Sequence, residues 1–275
     1  MSKMAKIIAI CNQKGGTGKT TTAINLSTAL AMSGQRVLLI DIDPQGNATS
    51  GLGIDKHSIK HSIYHVLIQN IPVEETILTS EIKNLSIVPS NLELTGAEIE
   101  LVGYVARENR LNKALESIKD KFDFVIIDCP PSLGLLTLNS LMAAGSVIIP
   151  IQCEYYALEG VTLLLRTVNL VRERLNPNLQ IEGVVLTMAD FRTNLTNEVI
   201  SEIKNYFKDK VYRSVIPRNI RLSEAPGFGK PILTYDRTSA GAKSYLDLAH
   251  ELLGIKLPED TNVPEQEKVK EELGG

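Results

Sequence analysis

The sequence predicts an α/β fold: a doubly wound, mostly parallel sheet of about seven to eight strands with helices on both faces. Three observations carry this. Short apolar runs, VLLI at 37–40, FVII at 124–127 and VIIP at 147–150, are too continuous for strands with one wet face, so they read as strands covered on both sides. A glycine-rich turn, GGTGKT at 15–20, follows the first apolar run and opens a helical pattern, the strand–loop–helix order of a βαβ unit. Finally, 43% of the residues are hydrophobic but only 5% aromatic, with no tryptophan, which suits helices packed on a sheet of Val, Ile, Leu and Ala.

Length and charge frame the rest. A chain of 275 residues fits one α/β domain, placed at 1–256, followed by a tail at 257–275 with six acidic residues and two lysines. The tail is polar and proline-containing and is expected to be disordered. Before it stand 27 basic and 26 acidic residues, a balance that neither predicts nor excludes a nucleic-acid partner, which would need a local basic patch. The few aromatics argue against base-stacking platforms. Cys11, Cys129 and Cys153 make no C-x-x-C spacing, which speaks against metal ligation and for a reducing cytosol. No signal-peptide pattern precedes the first strand and no apolar run reaches 18 residues, so a soluble cytoplasmic protein without a membrane partner is expected.

In chain order, the strand at 7–10 leads into the glycine turn. Gly15, Gly16 and Gly18 can take backbone angles closed to other residues, so successive N–H groups, with Thr17 between them, can turn inward around an anion at a helix N-terminus. Lys19 supplies a point charge to the β and γ phosphates of a nucleotide, Thr20 a hydroxyl to Mg²⁺ and Thr21 a donor to the α phosphate. This is a phosphate-binding loop with one departure from G-x-x-x-x-G-K-[ST]: Gln13 stands where the first glycine belongs, and Lys14 follows it.

The second strand, at 36–40, runs into Asp41-Ile42-Asp43-Pro44-Gln45-Gly46-Asn47, and carboxylates at a strand's C-terminal end belong to the ligand side of an open sheet. An Asp-Pro turn of structural use only is the competing reading. Residues 54–104 read as a short helix at 63–69, a strand at 85–89 and an amphipathic helix at 97–102, with no function drawn from them. A helix at 107–119 turns Leu111, Ala114, Leu115 and Ile118 to the core. The strand at 122–128 ends in Asp128, the form in which an acid holds Mg²⁺ through a water, and CPPSLG follows as a loop. After the strand at 147–152, Tyr155 and Tyr156 read as interface or core residues rather than stacking ones. A long helix through Leu175 is apolar at Leu164, Leu165, Val168 and Val171 and basic at Arg166, Arg172 and Arg174. A sixth strand at 181–188 and a seventh at 211–216 precede loops carrying Arg192 and the run PRNIRLSEAP, and a helix at 238–253 closes the sheet.

Five segments in order, KGGTGKTTT, DIDPQGNATSGLG, IIDCPPSLG, CEYYALEG and VIPRNIRLSEAP, resemble chromosomal ParA ATPases of the Soj type, from the ParA/MinD group with a deviant Walker A loop. The similarity runs from about 6 to 253, and the absence of a helix-turn-helix before the first strand matches the short members. The resemblance implies catalytic roles for Lys14, Lys19 and Asp43. In it, Lys14 reaches across an ATP-bound homodimer to the partner's nucleotide, Gly15 permits close backbone approach, and Asp43 positions the attacking water. Thr20 and Asp128 hold Mg²⁺, Pro217 and Asn219 lie against the adenine, and Arg192 and Arg221 bind DNA. The implied function is a dimerising switch that holds double-stranded DNA non-specifically, hydrolyses ATP slowly and is stimulated by a ParB-type protein. It would act on the nucleoid in chromosome or plasmid segregation. Three other readings stay open: an ATP-dependent amidoligase or synthetase on the same fold, an iron–sulfur carrier using Cys129, and a MinD-type membrane-cycling ATPase. The last is opposed by the Glu-rich tail, which an anionic lipid surface would repel.

Overall fold

In the computed structural model, which describes residues 4–155 and 157–256, seven strands form one sheet. They are β1 (Lys6–Ile10), β2 (Val37–Asp41), β3 (Leu78–Thr79), β4 (Leu85–Val88), β5 (Phe124–Asp128), β6 (Ser146–Gln152) and β7 (Gln180–Thr187). Their order is β3-β4-β2-β5-β1-β6-β7, and every pairing is parallel except that of β3 with β4. The helices are α1 (Lys19–Met32), α2 (Asn47–Gly51), α3 (Ile63–Gln69), α4 (Leu94–Glu100), α5 (Arg110–Leu115), α6 (Leu135–Ala143), α7 (Glu159–Arg174), α8 (Asn194–Phe207), α9 (Ile220–Glu224), α10 (Ile232–Tyr235) and α11 (Ala240–Leu252).

Why the strands read as unbroken apolar strings is visible in their two faces. Ile7, Ala9, Leu38, Ile40, Val125 and Ile127 point into one buried cluster, built with α3 to α8. Their neighbours Ile8, Ile10, Leu39 and Ile126 point into the other, against α1, α2 and α9 to α11. Alternation therefore still operates, but both sides are dry. The predicted fold class is the one observed.

Two strand assignments differ from the sequence reading. Residues 211–216 form no strand: Val211 makes only an isolated bridge to Val184, and Ala189 bridges Pro217. Tyr212 and Ile216 donate their N–H groups to Val184 and Leu186, so the segment starts and ends beside β7. Between them the Glu251 carboxylate accepts the N–H groups of Arg213 and Ser214, at 2.8 and 2.7 Å, and that capture breaks the ladder. The antiparallel edge is instead β3, two exposed residues too few to leave a periodic signal. The helix expected at 97–102 begins earlier, at Leu94, and that at 107–119 is α-helical only over α5, with 3₁₀ turns on both sides. Tyr155 is 72% exposed and so not a core residue. Tyr156 and the tail at 257–275 lie outside the described residues.

The topology sets where chemistry can sit. From β1 the chain moves through α1 to β2 on one side, and from β5 through α6 to β6 on the other, so β1 marks the point where the winding reverses. Ligands of such sheets bind beyond the carboxyl ends of the strands at that point. Register brings Ile10, Asp41 and Asp128 to one level there.

Candidate functional site

Residues 11–18 leave β1 and turn into α1, with Gly16 (φ +76°) and Gly18 (φ +85°) in the left-handed region that disfavours side chains. Gly18 is the N-cap of α1, so the loop delivers its amides to a helix N-terminus. Gly15 has no such angle, and a Cβ built there would meet nothing within 4 Å; the expected backbone requirement is absent at this position. Side chains from beneath fix the loop's shape. Asn12 accepts the Lys14 N–H at 3.0 Å and donates to the Pro150 carbonyl at 2.8 Å, and Thr187 Oγ1 donates to the Thr17 carbonyl at 2.9 Å. Lys19 is buried, its ammonium donating to the Lys14 carbonyl at 3.1 Å across the cradle.

Charge is concentrated on the floor of the cradle. Asp128 is fully buried at the end of β5, and neither of its oxygens has a hydrogen-bond partner among the described residues. Burial first, then repulsion from Asp41, pushes its carboxyl well above the usual carboxylate range; the Thr20 hydroxyl pulls it back, from a position short of hydrogen-bond geometry. Burial likewise lowers the Lys19 ammonium, which Asp128 and Asp43 partly restore. A buried carboxylate left without a donor, beside a threonine hydroxyl, fits a hard cation such as Mg²⁺. Among the described residues no group of three or more His, Cys, Asp or Glu forms a metal cage.

Asp43 is 7% exposed and accepts the Gln45 N–H at 2.9 Å, the geometry of an Asx turn. The residue that anchors this segment is one to which the sequence reading gave no role. Asp41 accepts the Thr49 N–H at 2.8 Å, the Thr49 hydroxyl at 2.7 Å and the Asp43 N–H at 3.2 Å, while Thr49 Oγ1 accepts the Ser90 N–H at 2.9 Å. Burial raises the Asp41 carboxyl to about 6 against these donors. The relay fastens α2 to the ends of β2 and β4 and so sets the position of Asp43.

Pro217 and Asn219 line a cavity of about 560 Å³ beside Gly18, Thr21, Thr187 and Tyr245. Asn219 Oδ1 is engaged in capping α9, accepting the Arg221 N–H at 2.9 Å. The Ala189–Pro217 bridge sets the loop of Arg192 beside that of Arg221, with exposed Arg218 between them, a third cation the sequence reading passed over. Arg192 makes a paired contact with Asp190, at 2.8 and 2.6 Å, which draws the Asp190 carboxyl down to about 2. Arg221 is paired with Glu224 at 2.9 Å and Asp236 at 3.6 Å. Lys14, on the exposed rim, forms an ion pair with Glu154 of the same chain.

Comparison with known proteins decides what this arrangement belongs to. A family profile described as an AAA domain matches residues 5–181. The chain is 60% identical over 249 residues to the sporulation initiation inhibitor protein Soj of Bacillus subtilis, covering 90% of this chain and 98% of that one. It is 53% identical over 255 residues to the chromosome partitioning protein ParA of Myxococcus xanthus, covering 93% and 90%. This chain belongs to the ParA/Soj family of chromosome-partitioning ATPases.

As a ParA/Soj protein it is an ATPase with a P-loop domain. Its fold is shared with the cobyrinic acid a,c-diamide synthase from Mycobacterium smegmatis, solved with a bound ATP analogue and magnesium: TM-score 0.80, 37% identity, 90% of this chain and 94% of that one. That name matches the amidoligase reading, but identity to the ParA/Soj proteins is far higher.

Proposed function

We propose that this ParA/Soj ATPase is a nucleotide-gated switch: two copies close on bound ATP, and the pair holds double-stranded DNA by its phosphates. Lys19 and the amides of residues 15–21 hold the triphosphate, Thr20 and Asp128 hold Mg²⁺, and Pro217 and Asn219 face the base. When bound, the ion neutralises phosphate charge. Lys14 exchanges Glu154 for the nucleotide of the second copy, and Asp43 orients the attacking water. A ParB-type partner speeds hydrolysis, which releases the pair. The setting is the nucleoid in the cytoplasm, with 1–256 as the working domain. Among the described residues no helix is long and apolar enough to cross a membrane.

Gly15 carries this reading. It is exposed on the rim of the loop, and a Cβ built there would meet nothing within 4 Å, so its backbone is open to close approach by a second copy. Gly15→Val is therefore expected to leave the fold and nucleotide affinity within about twofold while abolishing dimerisation, since a side chain keeps two backbones apart. Sedimentation equilibrium with Mg²⁺ and a non-hydrolysed ATP analogue checks it; a dimer of wild-type strength in the variant overturns the interface.

For DNA, Arg221→Glu is expected to weaken binding at least about tenfold and make its salt dependence shallower, with no change in sequence preference. Because the reversal places three acids together with Glu224 and Asp236, Arg221→Ala is the control for local disruption. A mobility-shift titration over a range of salt decides: unchanged affinity in both variants removes Arg221 from the surface, and a strong preference for one site points to a repressor.

A further inference from the structure

The thiols of Cys11 and Cys129 lie 2.9 Å apart, Sγ to Sγ, and each residue is 1% exposed. Sheet register makes this pair. Ile10 faces Asp128 across β1 and β5, so the next residue on each strand also stands opposite its counterpart. Both are still held by backbone bonds at the strand ends, Cys11 N–H to the Ile148 carbonyl and Cys129 N–H to the Ile10 carbonyl. Two sulfurs so placed need to close by only about an ångström to reach bonding distance. Neither thiol has a part in the nucleotide chemistry above, yet Cys11 opens the phosphate loop and Cys129 follows Asp128. Cys153, half-buried past the end of β6, is outside the pair.

We propose that Cys11 and Cys129 are a covalent modification site: a hydroperoxide converts them to a reversible disulfide that disables the nucleotide site. The second half rests on the nucleotide reading given above, the first half does not. One sulfur takes the distal oxygen of the peroxide, giving a sulfenic acid and releasing an alcohol, or water from hydrogen peroxide. The other thiol then attacks that sulfur; the S–O bond breaks, its hydroxyl leaves with the attacking thiol's proton as water, and the S–S bond forms. The two sulfurs are oxidised and the peroxide O–O bond is reduced. A small dithiol that reaches the site reverses the bond by exchange.

Closing the gap draws the root of the phosphate loop toward the backbone of Asp128, and an ångström of misplacement in positioning atoms costs about a hundredfold in rate. At 1% exposure the two thiols are reached only by small oxidants, and burial, which holds the Cys11 thiol well above the usual range, keeps the reaction slow.

The test uses the full chain carrying Cys153→Ser, in which only one intramolecular disulfide can form. After hydrogen peroxide, intact mass is expected to fall by two hydrogens, and peptide mapping to join the peptides of Cys11 and Cys129, both restored by dithiothreitol. ATP turnover is expected to fall by about a hundredfold with the bond and recover with its reduction, while Cys11→Ala and Cys129→Ala variants keep their turnover under the same oxidant. If both thiols remain fully alkylatable after unfolding, at peroxide levels that oxidise Cys153 in the parent chain, the site is overturned. A bond that forms without change in turnover overturns its effect on the nucleotide site. Failure of the reduced chain to bind ATP counts against the nucleotide reading instead, and the mass result still stands by itself.

Discussion

Lys19→Ala is expected to weaken nucleotide binding by at least about a hundredfold, close to 3 kcal/mol, the worth of one or two charge-assisted hydrogen bonds in a buried site. The side chain is 7% exposed, and it is the cation that offsets the buried Asp128 and Asp43. A second effect follows from that position. With the ammonium gone, Asp128 holds its proton still more tightly, and a protonated carboxyl cannot serve a cation. Residual Mg²⁺-dependent binding in the variant should therefore rise with pH, as deprotonation of a carboxyl held above its ordinary range proceeds. Calorimetric titration with a non-hydrolysed analogue at several pH values, beside thermal unfolding of the same samples, separates lost binding from lost folding. Affinity near wild type would contradict the loop assignment.

Asp43→Ala is expected to slow turnover by about a hundredfold or more, the range for loss of a group that orients or activates the nucleophile. ATP and DNA binding should survive. The variant gives up one hydrogen bond to the Gln45 N–H, about 1 kcal/mol, whereas Asp41 still fastens Thr49, so the segment keeps its place. Single-turnover hydrolysis measured beside a DNA mobility shift is the appropriate pair of readouts. Normal turnover removes Asp43 from the mechanism; loss of both activities makes it a structural residue.

How far the sequence alone could be read depends on whether a signal was local. The loop at 15–20 and the apolar strands announce themselves within a few residues, because phosphate cradles and doubly covered strands each impose a short pattern. The acids Asp43 and Asp128 were visible as carboxylates ending such strands. The Asp41–Thr49–Ser90 relay was not, since its members are far apart in sequence and meet only when β2 and β4 pair. Residues 211–216 misled for the same reason. Their composition suits a strand, but the Glu251 carboxylate that interrupts the ladder arrives from α11. Gly15 shows the reverse: the pattern marked it as a glycine the fold required, and its own chain turns out to make no such demand.

The bridge between Ala189 and Pro217 makes one piece of backbone serve both the wall of the cavity beside Gly18 and Thr21 and the mounting of the arginines. Thermodynamic reciprocity then applies: whatever factor a filled cavity adds to the hold on a polyanion, the polyanion must return to the hold on the occupant. If the proposed switch operates, a copy held on DNA therefore binds its nucleotide more tightly than a free copy, by the same factor with which the nucleotide tightens the hold on DNA.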